Sequence, residues 1–199
     1  MRFRPARSIA LAALLLLAAI PIAAQKRSVE SLCRLHGIGQ EESVARIKAA
    51  YLDAVRSGIS EEELLPFVED ILRHKLDCSQ MVRVLAVTTK LKAAGLPYFV
   101  VFSKVREGVA KMAPPALVVD VAEAKLKSLT ESRDVLVSLE SSGYRVRDFQ
   151  NAAVIVSSYI EKGYRPGEVV SQVRNKGIEG AGFAALSAVV EKPVKRKER

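Results

Sequence analysis

At six places along this chain a stretch with helical periodicity is closed by a glycine followed at once by a large apolar residue. The pairs are Gly37-Ile38, Gly58-Ile59, Gly95-Leu96, Gly143-Tyr144, Gly163-Tyr164 and Gly177-Ile178. Helices commonly end on a left-handed residue, most often glycine, after which the chain folds an apolar side chain back onto the last turn. Helix starts follow these pairs directly. Ser60 precedes Glu61, Glu62 and Glu63, and prolines stand at Pro97, Pro114-Pro115 and Pro166. Serine caps free amides, acids suit the positive helix end, and proline fits a first turn. The chain therefore reads as helices joined by tight turns.

The intervening segments agree. Val44, Ile47, Tyr51 and Val55 recur at spacings of three and four, as do Val101, Phe102, Val105 and Val109. From Pro115 the apolar pattern runs through Val118, Val121, Leu126 and Leu129 to Leu136 and Leu139, as one long helix or two broken near Thr130. The pattern predicts helices near 26–36, 40–57, 60–75, 78–93, 97–111, 115–141, 146–161, 166–175 and 179–190. No segment alternates with period two over a useful length. Shifting the chain by 37 residues lays Gly58-Ile59-Ser60 on Gly95-Leu96-Pro97 and Met81-Val82 on Val118-Val119. The same shift puts the Leu76-Asp77 junction on Ala113-Pro114. A looser third copy sets Pro166 over Pro115 at a shift of 51. The expected fold is thus all-α: helical-hairpin repeats stacked as a short solenoid or a compact bundle. Gly108 falls inside a helix, where glycine costs about 1 kcal/mol against alanine; close helix approach would account for it.

Arg2, Arg4 and Arg7 precede an apolar run from Ile9 to Ala24, broken only by Pro21 and ending in small residues. That is the layout of a cleaved secretory signal peptide. The expected organisation is a signal peptide over 1–24, a helical-hairpin domain over 25–191 and a basic disordered tail over 192–199, in a periplasmic or secreted protein. No later apolar run approaches the length of a membrane span, about 20 residues. The formal charge of +9 misleads, because eight of the 31 bases lie in the two terminal segments. Between those segments stand 23 bases and 21 acids, with no basic face of the kind nucleic acid requires. The tail could make a weak contact with an anionic surface.

Two cysteines and two histidines pair by position: Cys33 with His36, and His74 with Cys78. An oxidising compartment favours a Cys33–Cys78 disulfide. Free thiols and a four-ligand zinc site are the other readings. Tyr144, Phe149, Tyr159, Tyr164 and Phe183 read as packing at helix ends and faces, with a ligand groove as the lesser reading. No nucleophile elbow, phosphate-binding glycine loop or His-Glu-x-x-His occurs. The acids sit where helix starts and solvated faces explain them. No cofactor, metal or catalytic set is expected, and the chain reads as a non-enzyme that acts by binding. It would be an adaptor, scaffold or envelope-associated component whose partner is another envelope or extracellular protein. The alternative is a carrier or sensor of a small apolar ligand held between hairpins.

Overall fold

The computed structural model describes residues 28–191; the expected signal peptide and basic tail lie outside them. The described part is all-α, with helices α1 (Val29–Leu35), α2 (Glu41–Arg56), α3 (Glu61–Arg73), α4 (Cys78–Ala93), α5 (Phe99–Ala110), α6 (Pro115–Ser141), α7 (Phe149–Glu161) and α8 (Pro166–Gly180). No helix among these residues is long and apolar enough to cross a membrane.

Helix starts follow the capping chemistry of the sequence. The side chains of Ser28, Ser60, Asp77 and Asp148 accept from the amides of Ser31, Glu63, Gln80 and Asn151, satisfying donors that the first turn leaves free. Pro115 and Pro166 are the first residues of their helices. Pro97 stands two residues ahead of α5, in the turn that leads into it. α6 is one helix of 27 residues. The Thr130 hydroxyl donates back to the Leu126 carbonyl at 2.7 Å and leaves the helix unbroken.

Helix ends share one hydrogen-bond pattern. After α4, Gly95 N–H donates to Lys92 and Leu96 N–H reaches Leu91 at 2.9 Å. At three junctions the residue that folds back is then lost from solvent, Ile59, Leu96 and Ile178 each being about 1% exposed, while Ile38 and Tyr144 are half-buried and Tyr164 stays exposed. All six junction glycines have φ between 68° and 99°. Two further junctions make the same turn without glycine, on Lys75 (φ 59°) and Met112 (φ 52°). Leu76 N–H then donates to Ile71 and Ala113 N–H to Gly108.

The helices lie in two layers. In one, α2 packs on α4, α4 on α6 and α6 on α8; in the other, α1 packs on α3 and α3 on α5. α5 and α7 both pack against the long α6, which closes the space between the layers. Ile47, Leu64, Phe67, Ile71, Met81, Leu85, Leu129 and Leu136 fill that space and are fully buried. Phe67 of α3 stacks on Phe102 of α5 with ring centroids 4.0 Å apart. Polar ties join layer neighbours at nearly constant sequence offsets. Cys78 reaches back 35 residues to Ser43, Tyr98 35 to Glu63 and Arg106 36 to Asp70; Arg83 reaches 40 forward to Glu123. A Cβ on Gly108 would stand 3.0 Å from Val118 Cγ2, so the missing side chain lets α5 lie against the start of α6.

The C-terminal part corrects the helix prediction. Gly177 (φ 74°, ψ 168°) breaks α8, and in place of a helix over 179–190 there is a 3-10 turn at Ala184–Ala188. Val190–Glu191 then pairs antiparallel with Arg145–Val146, a two-residue ladder that the absence of alternation did not suggest. Gly180 and Gly182 interrupt the helical run, and Val189 and Val190 are β-branched residues that suit an extended chain. The Arg147 amide donates to the Val189 carbonyl at 2.8 Å, and Arg147 pairs with Glu191, holding this segment against the α6–α7 turn.

Candidate functional site

The sequence candidates resolve mainly into structure. Cys33 lies fully buried on α1, while Cys78, the first residue of α4, is half-buried. The expected Cys33–Cys78 bridge is not formed; both are free thiols. Cys78 Sγ points to α2, donating to the Ser43 carbonyl at 3.5 Å. Burial, then the charges of Glu30 and Cys78, pushes the Cys33 thiol up to about 11. It is therefore protonated and unreactive near neutrality. Among the described residues no three His, Cys, Asp or Glu side chains come together as metal ligands would. His74 Nε2 instead donates to the Ala113 carbonyl at 2.6 Å, tying the α3 end to the α5–α6 junction. His36 Nε2 is buried and has no hydrogen-bond partner among the described residues.

Three of the aromatic residues of the C-terminal third pack on one another, while Tyr144 and Phe149 lie half-buried against the core. Tyr159 meets Phe183 with centroids 4.7 Å apart, Tyr164 lies against both, and the Tyr144 hydroxyl donates to Val173 at 3.0 Å. Lys125, almost completely buried on α6, donates to Glu161 Oε2 at 2.7 Å, and Ser128 donates to Glu161 Oε1 at 2.8 Å. This knot joins α6 to α7, with each polar group satisfied.

Smaller grooves of about 260 and 240 Å³ lie over α1–α3 beside Tyr51 and Leu65 and between α5 and α6 beside Leu117 and Val121; the larger ones follow the outer face of the α2–α4–α6–α8 layer. A groove of about 370 Å³ runs between α2 and α4, with Ala49, Ala50, Val82 and Ala86 along it and Arg46, Asp53 and Lys90 at its rim. Arg46 also borders an adjoining cleft of about 500 Å³ that extends past Ser43 and Cys78 to Ile38 and Gly37. Of the six junction glycines, Gly37 alone lines either cleft. A third groove, about 450 Å³, lies between α6 and α8 over Val135, Val170 and Arg174. Between α4 and α6 the face is strapped by a two-pronged bond: Arg83 Nε and Nη2 donate to the Glu123 oxygens at 2.8 and 2.7 Å. That contact holds the Glu123 carboxyl below its ordinary range.

These clefts arise from side-chain size. Ala49 and Ala86 sit where α2 and α4 face solvent, too small to fill the trough between two adjacent helices. Sequence periodicity marks the apolar stripe that enters the core and is silent about which outward positions neighbour one another across helices. The grooves were therefore not legible beforehand. No protein-family model matches the chain, and comparison with curated proteins and with solved structures finds no match.

Proposed function

We propose that this chain is an exported stack of helical hairpins that works by binding another envelope or extracellular protein along the outer face of the α2–α4–α6–α8 layer. The carrying observation is the row of three grooves along that layer, about 370, 500 and 450 Å³ in size, each roomier than the grooves of about 260 and 240 Å³ found elsewhere. Hairpin repetition is supported by the 37-residue self-similarity and by ties between layer neighbours at offsets of 35 to 40 residues. Stacked hairpins make extended surfaces whose binding residues come from many separate helices. The grooves open to solvent along helix pairs, a shape suited to a polypeptide more than to a small apolar ligand, which needs enclosure.

Site-specific photocrosslinking of the mature chain in envelope extract tests this reading. A crosslinker at Ala49 or Ala86 should yield a discrete protein adduct, and one at Ser103, exposed on α5, should not. Adducts independent of position, or none from the grooved layer, would overturn it.

A further inference from the structure

The α2/α4 groove has an asymmetry in its charges. Four charged residues border it and the adjoining cleft: Arg46, Asp53, Asp77 and Lys90. The two acids are already engaged. Asp53 accepts from Arg56 at 2.7 Å, and Asp77 caps α4 through the Gln80 amide at 2.8 Å. The two bases are not. Arg46 and Lys90 are exposed and make no hydrogen bond or ion pair with a described residue. Lys90 feels Glu123, but both oxygens of that carboxylate are held by Arg83.

An apolar trough with free cations on its rim fits one kind of occupant. We propose that the groove takes an acidic amphipathic segment of the partner protein, which lays apolar side chains on Ala49, Val82 and Ala86 and sets carboxylates against Arg46 and Lys90. This rests on the binding reading above and deepens it. A guanidinium donates to a carboxylate through two parallel N–H bonds, so Arg46 would fix register as well as charge. Small side chains on the floor allow a helix to settle between α2 and α4 with its anchors at spacings of three and four. Polyanions fit poorly. Asp53 and Asp77 interrupt the positive rim, and a nucleic-acid or lipid-headgroup surface needs cations in an unbroken array.

The test uses the mature chain and two designed helical peptides, identical in leucine and alanine, with glutamate flanking the apolar face in one and lysine in the other. Fluorescence anisotropy should show binding of the glutamate peptide, weakened by salt, and little binding of the lysine peptide. Arg46→Glu with Lys90→Glu should weaken the glutamate peptide about tenfold or more, since two exposed pairs, each worth less than tenfold, are lost together and replaced by like-charge repulsion, and should raise affinity for the lysine peptide. Both positions are exposed, and circular dichroism verifies that the double variant is folded. Failure to bind the glutamate peptide, or equal binding by the double variant, overturns the acidic-segment proposal. If crosslinking at Ala49 still captures a protein in that event, the binding reading stands without it. If crosslinking fails as well, both are lost.

Discussion

Met112 holds the left-handed turn between α5 and α6 with φ 52° and a side chain 85% exposed. An L-residue in that conformation costs about 1–2 kcal/mol. Glycine removes the penalty but loses about 0.5–1 kcal/mol more backbone entropy on folding. Met112→Gly should therefore stabilise the protein by about 0.5–1 kcal/mol, close to 2 °C in Tm for a domain of this size. Met112→Ala is the control, because it deletes the same exposed side chain and keeps the unfavourable φ; it should stay within about 0.5 kcal/mol of the parent. Lys75→Gly should act in the same direction. The two gains should not add fully, since His74, next to Lys75, hydrogen-bonds the Ala113 carbonyl beside Met112 and couples the junctions. The reverse perturbation is Gly95→Val. Nothing lies within 4 Å of a Cβ at Gly95, so its loss, at least about 1–2 kcal/mol, is conformational and not steric. Urea unfolding followed by circular dichroism measures all of these. If Met112→Gly is no more stable than Met112→Ala, left-handed strain at the junctions is not what separates them.

Gly108→Ile installs the residue found 37 positions earlier at Ile71 and should destabilise by about 1–3 kcal/mol, because its Cβ begins 3.0 Å from Val118; a neutral urea midpoint would contradict the close approach. Glu161→Ala should cost about 3 kcal/mol by stranding the buried Lys125 ammonium, whereas Lys125→Met should cost distinctly less, since the Glu161 carboxylate keeps access to water; equal losses would refute that asymmetry. A thiol reagent should modify Cys78 in the folded protein and Cys33 only on unfolding; two fast thiols or none would count against the burial assigned to each. The Cys33 thiol titrates at about 11 folded, above its ordinary 9.0, so the folded state binds its proton more tightly. That contribution is complete below about pH 9 and lost as pH rises towards 11. Cys33→Ala should therefore flatten the alkaline fall in stability.

Legibility in the sequence follows the range of the interaction. Junction glycines, caps and apolar stripes are local, and each marks itself within a few residues; hence Gly58-Ile59-Ser60 announces both the end of α2 and the start of α3. The junctions on Lys75 and Met112 carry no glycine, yet the 37-residue shift aligned Leu76-Asp77 with Ala113-Pro114 and so contained their position. The terminal ladder rests on a pairing between Val146 and Val190, 44 residues apart, with two residues per strand, too short for any alternation to register. The state of the cysteines is not legible in the sequence, because compartment chemistry says which bond is favourable and nothing of where a thiol points. Cys78 at the first residue of α4 is turned to the Ser43 carbonyl, a contact 35 residues away.

The fold does not require the trough between α2 and α4. Core positions must be large enough to meet across the layers, and Phe67, Ile71 and Leu85 do so. Ala49 is exposed on the outer face of α2, where alanine has one purely local merit, the highest helix propensity. If helix propensity is its whole role, leucine should serve nearly as well, since the two lie close on that scale and an exposed change moves stability by no more than about 0.5 kcal/mol. If the trough is a docking site, Ala49→Leu fills its floor and obstructs a partner segment while leaving the fold intact. The outcome is decided by two readings on one variant: an unchanged urea midpoint, with glutamate-peptide binding reduced by about tenfold or more. Retained binding at unchanged stability would mean that the groove is only the residue of two helices built from small side chains.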